Sequence, residues 1–384
     1  MVSLLSAGPY WWKQYCRVSC VPILHLRDVL VKSGTDHTFI TEGIMAYNPD
    51  HFEDKIRAVK QITERVDRTS PYCDFVYYTS SRDSSLKLAM RVDKPAAPGP
   101  ILVQTHGWHM SAVEFEAMET PGDSPFLTLS VDMRGRAFSD GRPDCNGYEL
   151  QDVIDAVNYA RERYADYVSD PEVVYFEAGS GGGGNALAIA GKFPDFFAAV
   201  NALYCMSDYG MWYRNDADGE FRDEMDIWVG KDPDLDPMAY AARSGLSLVR
   251  NLYSPLFIAH GELDRRVPVY HSHLYLAAAK AWGKDDLIDY YEMKNVGTES
   301  HISGATPEQK AELSRRALAN LTRHPSPVLL PRRGKLLVGG YVVTKYFRVD
   351  LDSQDKIAEI EYDADARTIA LRCAVPCEYT VEWF

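Results

Sequence analysis

Long hydrophobic runs and a surplus of positive charge are both missing from this chain of 384 residues. No stretch approaches the roughly 18 consecutive apolar residues of a transmembrane helix, so helical membrane spans are not expected. The start, MVSLLSAGPYWW, has neither the cationic segment nor the apolar run of a secretory signal, and we expect a cytoplasmic location. Lysine and arginine number 41 against 55 acidic residues, which gives a formal net charge of −14. Nucleic acids and anionic membranes bind cationic surfaces, so neither is expected as a partner.

Cysteine is scarce and odd in number, with seven residues in the chain. Three of them fall in or near predicted core elements and are expected to be buried thiols: Cys73, Cys145 and Cys205. Two C-x-x-x-C pairs, Cys16/Cys20 and Cys373/Cys377, lie at opposite ends of the chain. They could form a metal site or a disulfide if the ends meet, but their order is unlike that of zinc modules. We therefore predict no metal and no cofactor.

The most informative segment is VVYFEAGSGGGGNALAIA, residues 173–190. A run of β-branched and aromatic residues stops at Ala178, and a small-residue helix pattern follows at once. A strand, a tight turn and a helix form the context in which α/β-hydrolases present a nucleophilic serine, with small residues two places to either side. Ser180 stands at this turn between Ala178 and Gly182. Glycine tolerates the unusual dihedral angles of such a turn, and we predict that Ser180 is the nucleophile.

The same glycines, Gly179–Gly184, also fit the G-x-G-x-x-G pattern of a dinucleotide site. A nucleotide-binding oxidoreductase is therefore one alternative, and an ordinary tight turn is another. Asn185 and Ala186 stand where a P-loop carries Lys and Ser or Thr, which disfavours a P-loop. A dinucleotide fingerprint normally opens the first βαβ unit, whereas several predicted strands precede this one.

Two further residues complete a set typical of serine hydrolases. Asp264 follows the buried strand in SPLFIAHGELDRRVP, and His301 lies in the loop after the strand in IDYYEMKNVGTESHISG. The order Ser180, Asp264, His301 is that of the α/β-hydrolases and differs from the orders of the best-known serine proteases. Glu262 is a second acid candidate, and Asp264 could instead cap a turn. Other histidines compete with His301: His109, His260, His271 and His273.

An oxyanion hole is predicted from the strand of residues 101–104 and the turn THGW after it. In α/β-hydrolases one donor is the amide after the nucleophile, here Gly181, and the second comes from the loop after an earlier strand. We assign the second donor to the amide of Trp108. The alternative is that His106 and Trp108 only line the wall of a pocket.

A long excursion at residues 207–254, rich in aromatic and acidic residues, precedes the strand that leads to Asp264. It is a candidate lid, because substrate-specific parts are usually added in such segments. The alternative is that its aromatic side chains only pack it on the core. Four residues are candidates for the substrate pocket: His106, Arg134, Tyr209 and Trp212.

Four motifs carry a family resemblance: THGWH, VDMRGRAFSDG, AGSGGGG, and HGELDRRVP followed by GTESHISG. They resemble the α/β-hydrolases and, among them, the catalytic domain of the prolyl oligopeptidase family, over residues 75–323. The resemblance implies a mostly parallel sheet with helices on both faces and a Ser-His-Asp triad that cleaves a small ester or peptide substrate. Carboxylesterases and acetyl-sugar deacetylases share these motifs, so ester and amide substrates both stay open. Family members carry a β-propeller ahead of this domain, and the residues before 71 are too few for one.

The chain divides into three predicted parts. Residues 1–70 form an extension with a bracing helix in HFEDKIRAVKQITERV, and residues 71–325 form the catalytic domain. Residues 326–384 alternate apolar and polar side chains and are predicted to form a small antiparallel β-unit. That unit could bind substrate, cover a sheet edge or mediate self-association into a homo-oligomer. A non-catalytic protein that binds through this unit is the third hypothesis.

Overall fold

The computed structural model describes residues 65–216 and 219–384. The predicted bracing helix, apart from its last two residues, and the Cys16/Cys20 pair therefore lie outside the described residues. Their predicted roles remain predictions.

The first sheet of the described chain has nine strands. They are β1 (Arg68–Thr69), β2 (Cys73–Thr79), β3 (Lys87–Asp93), β4 (Ile101–Thr105), β5 (Leu127–Asp132), β6 (Val174–Gly179), β7 (Ala199–Leu203), β8 (Leu256–Gly261) and β9 (Ile288–Met293). The spatial order is β1-β2-β3-β5-β4-β6-β7-β8-β9, antiparallel as far as β5 and parallel beyond it. Parallel strands are covered on both faces and read as continuous apolar runs. All six residues of β8, LFIAHG, are accordingly buried.

Seven α-helices lie within residues 65–216 and 219–384: α1 (Glu149–Arg163), α2 (Gly181–Lys192), α3 (Tyr209–Asn215), α4 (Arg222–Trp228), α5 (Pro237–Ala241), α6 (Tyr270–Ala281) and α7 (Pro307–Thr322). Helices α1, α2 and α6 share one core cluster on one face of the sheet, and α7 packs on the other face. Helix α7 begins with Thr306 as cap, a reciprocal bond to Gln309 and proline at the first position, all of which are sequence signals for a helix start. The predicted α/β class, with helices on both faces, is confirmed.

The second sheet is antiparallel throughout and lies at the C-terminal end. Its strands are β10 (Arg333–Gly339), β11 (Tyr341–Val343), β12 (Phe347–Leu351), β13 (Ile357–Asp363), β14 (Thr368–Cys373) and β15 (Tyr379–Trp383). They are ordered β14-β13-β10-β11-β12-β15. Alternate residues of β13 are buried, as the period of two in the sequence predicts. The predicted antiparallel β-unit is therefore present.

The two sheets share buried contacts. Asn251, in the turn before β8, donates to the Leu337 carbonyl at 2.7 Å and accepts from the Leu337 amide at 2.8 Å. Tyr341 belongs to the core cluster of the first sheet and donates its hydroxyl to Gly147 at 2.9 Å. Beneath it, the buried Lys192 of α2 donates to the Gly339 carbonyl, and its ammonium lies 4.6 Å from the centre of the Tyr341 ring. The second sheet is thus packed on the back of the helix that follows Ser180.

Lys192 should make the stability of the protein depend on pH. Burial lowers its pKa to about 7, with a smaller contribution from the charge of Arg243. Between pH 7 and the ordinary lysine pKa of about 10.4, the unfolded chain binds more protons than the folded one, so the free energy of unfolding rises with pH. From pH 7 to 9 we expect a rise about 2 kcal/mol larger than in Lys192→Met. Denaturant unfolding at both pH values measures it, and equal rises in the two proteins would contradict it.

The structure also shows the state of the described cysteines and bears on the predictions about metal sites and membrane-spanning helices. Cys73, Cys145 and Cys205 are buried free thiols, as predicted. Cys373 and Cys377 are free and half-buried. Among the described residues, no group of three or more His, Cys, Asp or Glu side chains is arranged to hold a metal ion. Within those same ranges, no helix is long and apolar enough to cross a membrane.

Candidate active site

Ser180 occupies a strained turn between β6 and α2. Its φ is 57° and its ψ is −122°, a conformation that few residues other than glycine adopt. Its amide donates to the Leu203 carbonyl at 2.9 Å, which ties the turn to the neighbouring strand. A Cβ on Gly182 would lie 2.7 Å from the Cβ of Ala178. The small residues on either side of Ser180 are therefore a steric requirement of this turn.

The three residues predicted from the sequence meet at the carboxyl ends of parallel strands. Ser180 follows β6, Asp264 follows β8, and His301 lies in the loop after β9. The Ser180 Oγ lies 2.8 Å from His301 Nε2, and His301 Nδ1 lies 2.6 Å from Asp264 Oδ2. Both distances lie within the range of hydrogen bonds, so the three side chains form a continuous hydrogen-bonded chain.

Asp264 is held as an anion. Burial opposes its ionisation, but hydrogen bonds from His260 and His301 and from the Val267 amide outweigh it and lower the pKa of Asp264 to about 2. Its Oδ1 accepts from the amides of Arg266 and Val267 at 3.0 and 3.1 Å. A carboxylate fixed in this way holds the imidazole in one orientation.

The competing acid and histidines have other partners. Glu262 accepts from the Asn295 amide at 2.9 Å and pairs with Lys294 at 3.1 Å. The four other candidate histidines each have partners other than Ser180: His109 contacts Glu224, His260 bonds Val267 and Ser272 and lies 3.5 Å from Asp264, His271 accepts from the Ser207 amide, and His273 bonds Glu292. The geometry thus favours Asp264 and His301 over their alternatives.

Tyr204 is a neighbour of the site that the sequence analysis missed. Its ring stacks on the His301 imidazole, with centroids 5.2 Å apart and planes 5° apart. Tyr204 directly follows β7 and has a φ of 49°. This positive φ at a strand end marks Tyr204 in the structure, but it cannot be recognised from a single sequence. The stack restricts rotation of the imidazole.

The two predicted oxyanion donors lie next to each other. A Cβ added to Gly181 would lie 2.4 Å from the Trp108 nitrogen and 2.6 Å from its Cα. Only glycine at position 181 therefore permits this approach of the two backbones. His106 fixes the loop, because its Nδ1 donates to the Gly107 carbonyl at 2.8 Å and its Nε2 accepts from the Met133 amide at 3.1 Å. Burial lowers the pKa of His106 to about 3, which keeps the ring neutral as this pattern requires.

A small pocket with a cavity volume of about 20 Å³ opens beside these amides. Beyond the loop and Gly181, its wall includes Met133, Arg136, Cys145, Glu149, Asn185 and Trp228. The Arg136 guanidinium lies 4.5 Å from the centre of the Trp228 ring. Burial, followed by the charge of Asp144, raises the pKa of Glu149 to about 7. The pocket therefore presents a cation, a carboxyl group and an aromatic face to whatever occupies it.

Of the four residues predicted for this pocket, His106 lines it, with both ring nitrogens bonded within the protein. Arg134 is not among the residues that line this pocket, and its guanidinium donates to both oxygens of Asp152, at 2.6 and 2.7 Å. Arg136, two residues later in the same motif, supplies the cation instead.

Tyr209 and Trp212 do not line this pocket either. They are buried in an aromatic cluster of the excursion, and Trp212 donates its indole N–H to the Arg266 carbonyl at 3.0 Å. The alternative weighed from the sequence, that such aromatics pack the excursion, describes these two residues. Trp228 is the aromatic residue of the excursion that reaches the pocket wall.

The sheet order and the serine turn define the class of the protein. A mostly parallel sheet with helices on both faces presents a strained serine at a strand–helix turn, followed along the chain by an acid and a histidine. This is the α/β-hydrolase fold.

Within that class, residues 131–325 match the model of the prolyl oligopeptidase family. The match covers half of the chain, and the chain belongs to this family of serine hydrolases. The resemblance found in the sequence motifs is confirmed.

Two curated relatives differ in their described activity. The chain is 26% identical to Esterase LipQ of Mycobacterium tuberculosis over 241 residues, 58% of this chain and 56% of that protein. It is 28% identical to the uncharacterized peptidase YuxL of Bacillus subtilis over 206 residues, 48% of this chain and 29% of that protein. The chain thus spans about half the length of the first relative and less than a third of the second.

Solved structures agree with the fold. The acylaminoacyl peptidase of Pyrococcus horikoshii matches with a TM-score of 0.55 and 17% identity, over 71% of this chain and 44% of that one. A puromycin-hydrolyzing peptidase of Mycobacterium tuberculosis matches with a TM-score of 0.53 and 18% identity, over 66% and 39%. At these identities the likeness concerns the fold alone.

Proposed function

We propose that this protein cleaves an ester or a peptide-like amide through an acyl-enzyme on Ser180, with His301 as general base and acid and Asp264 as its partner. The observation that carries the proposal is the hydrogen-bonded chain from Ser180 Oγ through His301 to Asp264, at 2.8 and 2.6 Å. A hydroxyl bonded to an imidazole that is bonded in turn to a carboxylate is the arrangement that activates a serine nucleophile.

The steps follow from the positions of these atoms. Ser180 Oγ attacks the acyl carbon while His301 Nε2 takes its proton. The negative charge that develops on the acyl oxygen is stabilised by the amides of Gly181 and Trp108. His301 then gives the proton to the departing alcohol or amine, which leaves the acyl group on Ser180. A water molecule, deprotonated by His301, attacks the acyl carbon, and the acid product leaves with Ser180 restored.

The packing of the glycine run supports this proposal over nucleotide binding. A Cβ on Gly183 would lie 2.5 Å from the Leu203 carbonyl oxygen, and one on Gly184 would lie 2.5 Å from the Tyr209 hydroxyl. With Gly181 against Trp108, these glycines allow close packing of the protein on itself. A dinucleotide site needs its glycines to face the diphosphate. The hydrogen-bonded Ser180 likewise favours an enzyme over a non-catalytic binding protein.

The choice between ester and amide stays open within the proposal. One relative is described as an esterase and another as a peptidase. Carboxylesterases and sugar-ester deacetylases use the same set of residues, so a purely esterolytic enzyme is the second candidate. The pocket beside Gly181 has a cavity volume of about 20 Å³ and does not discriminate between the two substrate classes.

A fluorophosphonate probe tests the proposal directly, because it reacts with an activated serine hydroxyl. We expect one adduct per chain, and peptide mass mapping should find it on Ser180. The variant His301→Ala should lose labelling, since the base that activates the hydroxyl is removed. The matched control is His273→Ala, which removes an exposed histidine paired with Glu292 at 2.6 Å and should label like the wild type.

A folded wild-type protein without an adduct, or an adduct on another serine, would contradict the assignment. If labelling occurs on Ser180, parallel assays with p-nitrophenyl esters and with aminoacyl and prolyl amides separate the two substrate classes. Hydrolysis of esters alone would favour the esterase candidate.

A further inference from the structure

The excursion at residues 207–254 is built around a residue that does not belong to it. Trp108 follows β4, yet its indole ring lies among the aromatic rings of α3, α4 and the turn between them. The centroid distances are 4.9 Å to Trp212, 5.0 Å to Trp228, 5.9 Å to Tyr209 and 6.4 Å to Phe221. The side chain of Trp108 is thus enclosed by the excursion, while its backbone nitrogen lies beside Gly181.

One polar contact fixes this indole. Glu224 of α4 is fully buried, and its Oε2 accepts a hydrogen bond from Trp108 Nε1. The same oxygen lies 3.1 Å from His109 Nε2. One carboxylate therefore contacts two consecutive residues of the oxyanion loop. His109 is held from its other side by Phe221, whose ring stacks on it at 5.3 Å and 14°.

A carboxylate is a costly group at this place. Burial raises the pKa of Glu224, against hydrogen bonding and charge from His109 and the charge of Arg136. Filling a core needs no carboxylate, because an apolar residue of similar volume usually stabilises a buried site as well or better. The chemistry of Glu224 therefore points to the groups it contacts, which are the Trp108 indole that it hydrogen-bonds and the neighbouring His109 ring.

We propose that Glu224 is a positioning residue that holds the Trp108 amide in the oxyanion hole, an inference that rests on the proposed function. The indole is anchored at its Nε1 by Glu224 and on its faces and edges by the aromatic rings, which restricts the Trp108 backbone. An oxyanion donor must lie about 2.7–3.1 Å from the developing charge, so a small rotation of this peptide weakens the bond. The excursion accordingly acts as a brace for the oxyanion loop.

Two substitutions at the same site separate positioning from packing. Glu224→Leu removes the acceptor and puts an apolar side chain of similar size in its place. Glu224→Gln keeps an oxygen that can accept the hydrogen bond of the indole. Losing an oxyanion donor outright costs about 10²–10³ in kcat, and a displaced donor should cost less. For Glu224→Leu we expect kcat to fall about 10- to 100-fold with KM nearly unchanged. Glu224→Gln should recover kcat to within about threefold of the wild type.

A boronic acid inhibitor gives an independent measure, since its adduct with Ser180 is tetrahedral and places an oxygen in the oxyanion hole. Its affinity should fall in Glu224→Leu in parallel with kcat and return in Glu224→Gln. The control is Met225→Leu, the next residue of α4, which is fully buried in the same cluster and nearly keeps its volume. That variant should leave kcat and the inhibitor affinity unchanged.

A lower melting temperature with unchanged kcat and inhibitor affinity in Glu224→Leu would overturn the proposal, since Glu224 would then only anchor the excursion. If Glu224→Leu does not fold, Trp108→Phe removes the same N–H and should give the same change in kcat at constant KM. An unchanged kcat in Trp108→Phe would also overturn it. Failure of the proposed function is distinct, because the wild type itself would then neither label at Ser180 nor turn over substrate.

Discussion

Replacing Ser180 with alanine is expected to lower kcat by about 10⁶ while the fold and substrate binding are retained. The substitution removes only the hydroxyl group, which forms the 2.8 Å hydrogen bond with His301 Nε2. Without it no acyl-enzyme forms, and the remaining rate reflects water attack assisted by the oxyanion amides. The measurement is kcat and KM on an ester substrate, with circular dichroism to verify the fold.

The control for this variant is Ser300→Ala, an exposed serine directly before His301. Its rate should equal that of the wild type. If Ser180→Ala kept more than about one hundredth of the wild-type kcat, the nucleophile would have to be another group.

Asp264→Asn should lower kcat by about 10⁴ with little change in KM. Asp264 accepts a hydrogen bond from the Nδ1–H of His301 at 2.6 Å and so leaves Nε2 free to accept from Ser180. Its pKa of about 2 keeps it charged throughout the neutral range. Asparagine has the same shape but can present an amide N–H to Nδ1, which favours the imidazole tautomer that cannot take the serine proton.

The matched control is Glu262→Gln, two residues earlier, whose carboxylate bonds Lys294 and Asn295. It should retain wild-type kcat between pH 6 and 9. A large loss in Glu262→Gln with a small one in Asp264→Asn would reverse the assignment of the acid.

The residues of the hydrogen-bonded chain could be predicted from sequence because each depends on local features. Ser180 lies in a strand–turn–helix pattern, Asp264 follows a recognisable buried strand, and His301 follows a recognisable, partly exposed strand. Parallel strands bring their carboxyl ends to one edge of a sheet, so three local assignments suffice to bring the three side chains together. The β2–β3 hairpin and the antiparallel second sheet were predictable for the same reason, since alternation and turn residues are local signals.

The pocket could not be predicted in this way, because its wall depends on contacts between distant elements. Arg134 and Arg136 are two residues apart in one loop, and both carry the same guanidinium side chain. Asp152, on α1, binds Arg134 and leaves Arg136 beside the Trp228 ring. Nothing local in the motif indicates which of the two arginines a helix will bind.

The same limit applies to the aromatic residues of the excursion and to Tyr204. Hydrophobicity indicates that such residues are buried, but only tertiary packing decides whether they face a core, a pocket or an imidazole. Tyr209 and Trp212 pack around Trp108, whereas Trp228 reaches the pocket wall as well. Glu224 gave no signal either, since a single glutamate in a short amphipathic helix is normally exposed.

Because the second sheet packs on the first, residues far apart in the sequence are expected to change together during evolution. Helix α2 begins next to Ser180 and ends at Lys192, which is covered by Gly339 and Tyr341, while Asn251 pairs with the backbone of β10. Packed interiors tolerate little change in volume or charge, and residues in contact are coupled. Homologous sequences should therefore show covariation among positions 192, 251 and 341. Recombination that exchanged the C-terminal sheet alone would yield chimaeras with mismatched contacts behind the serine helix.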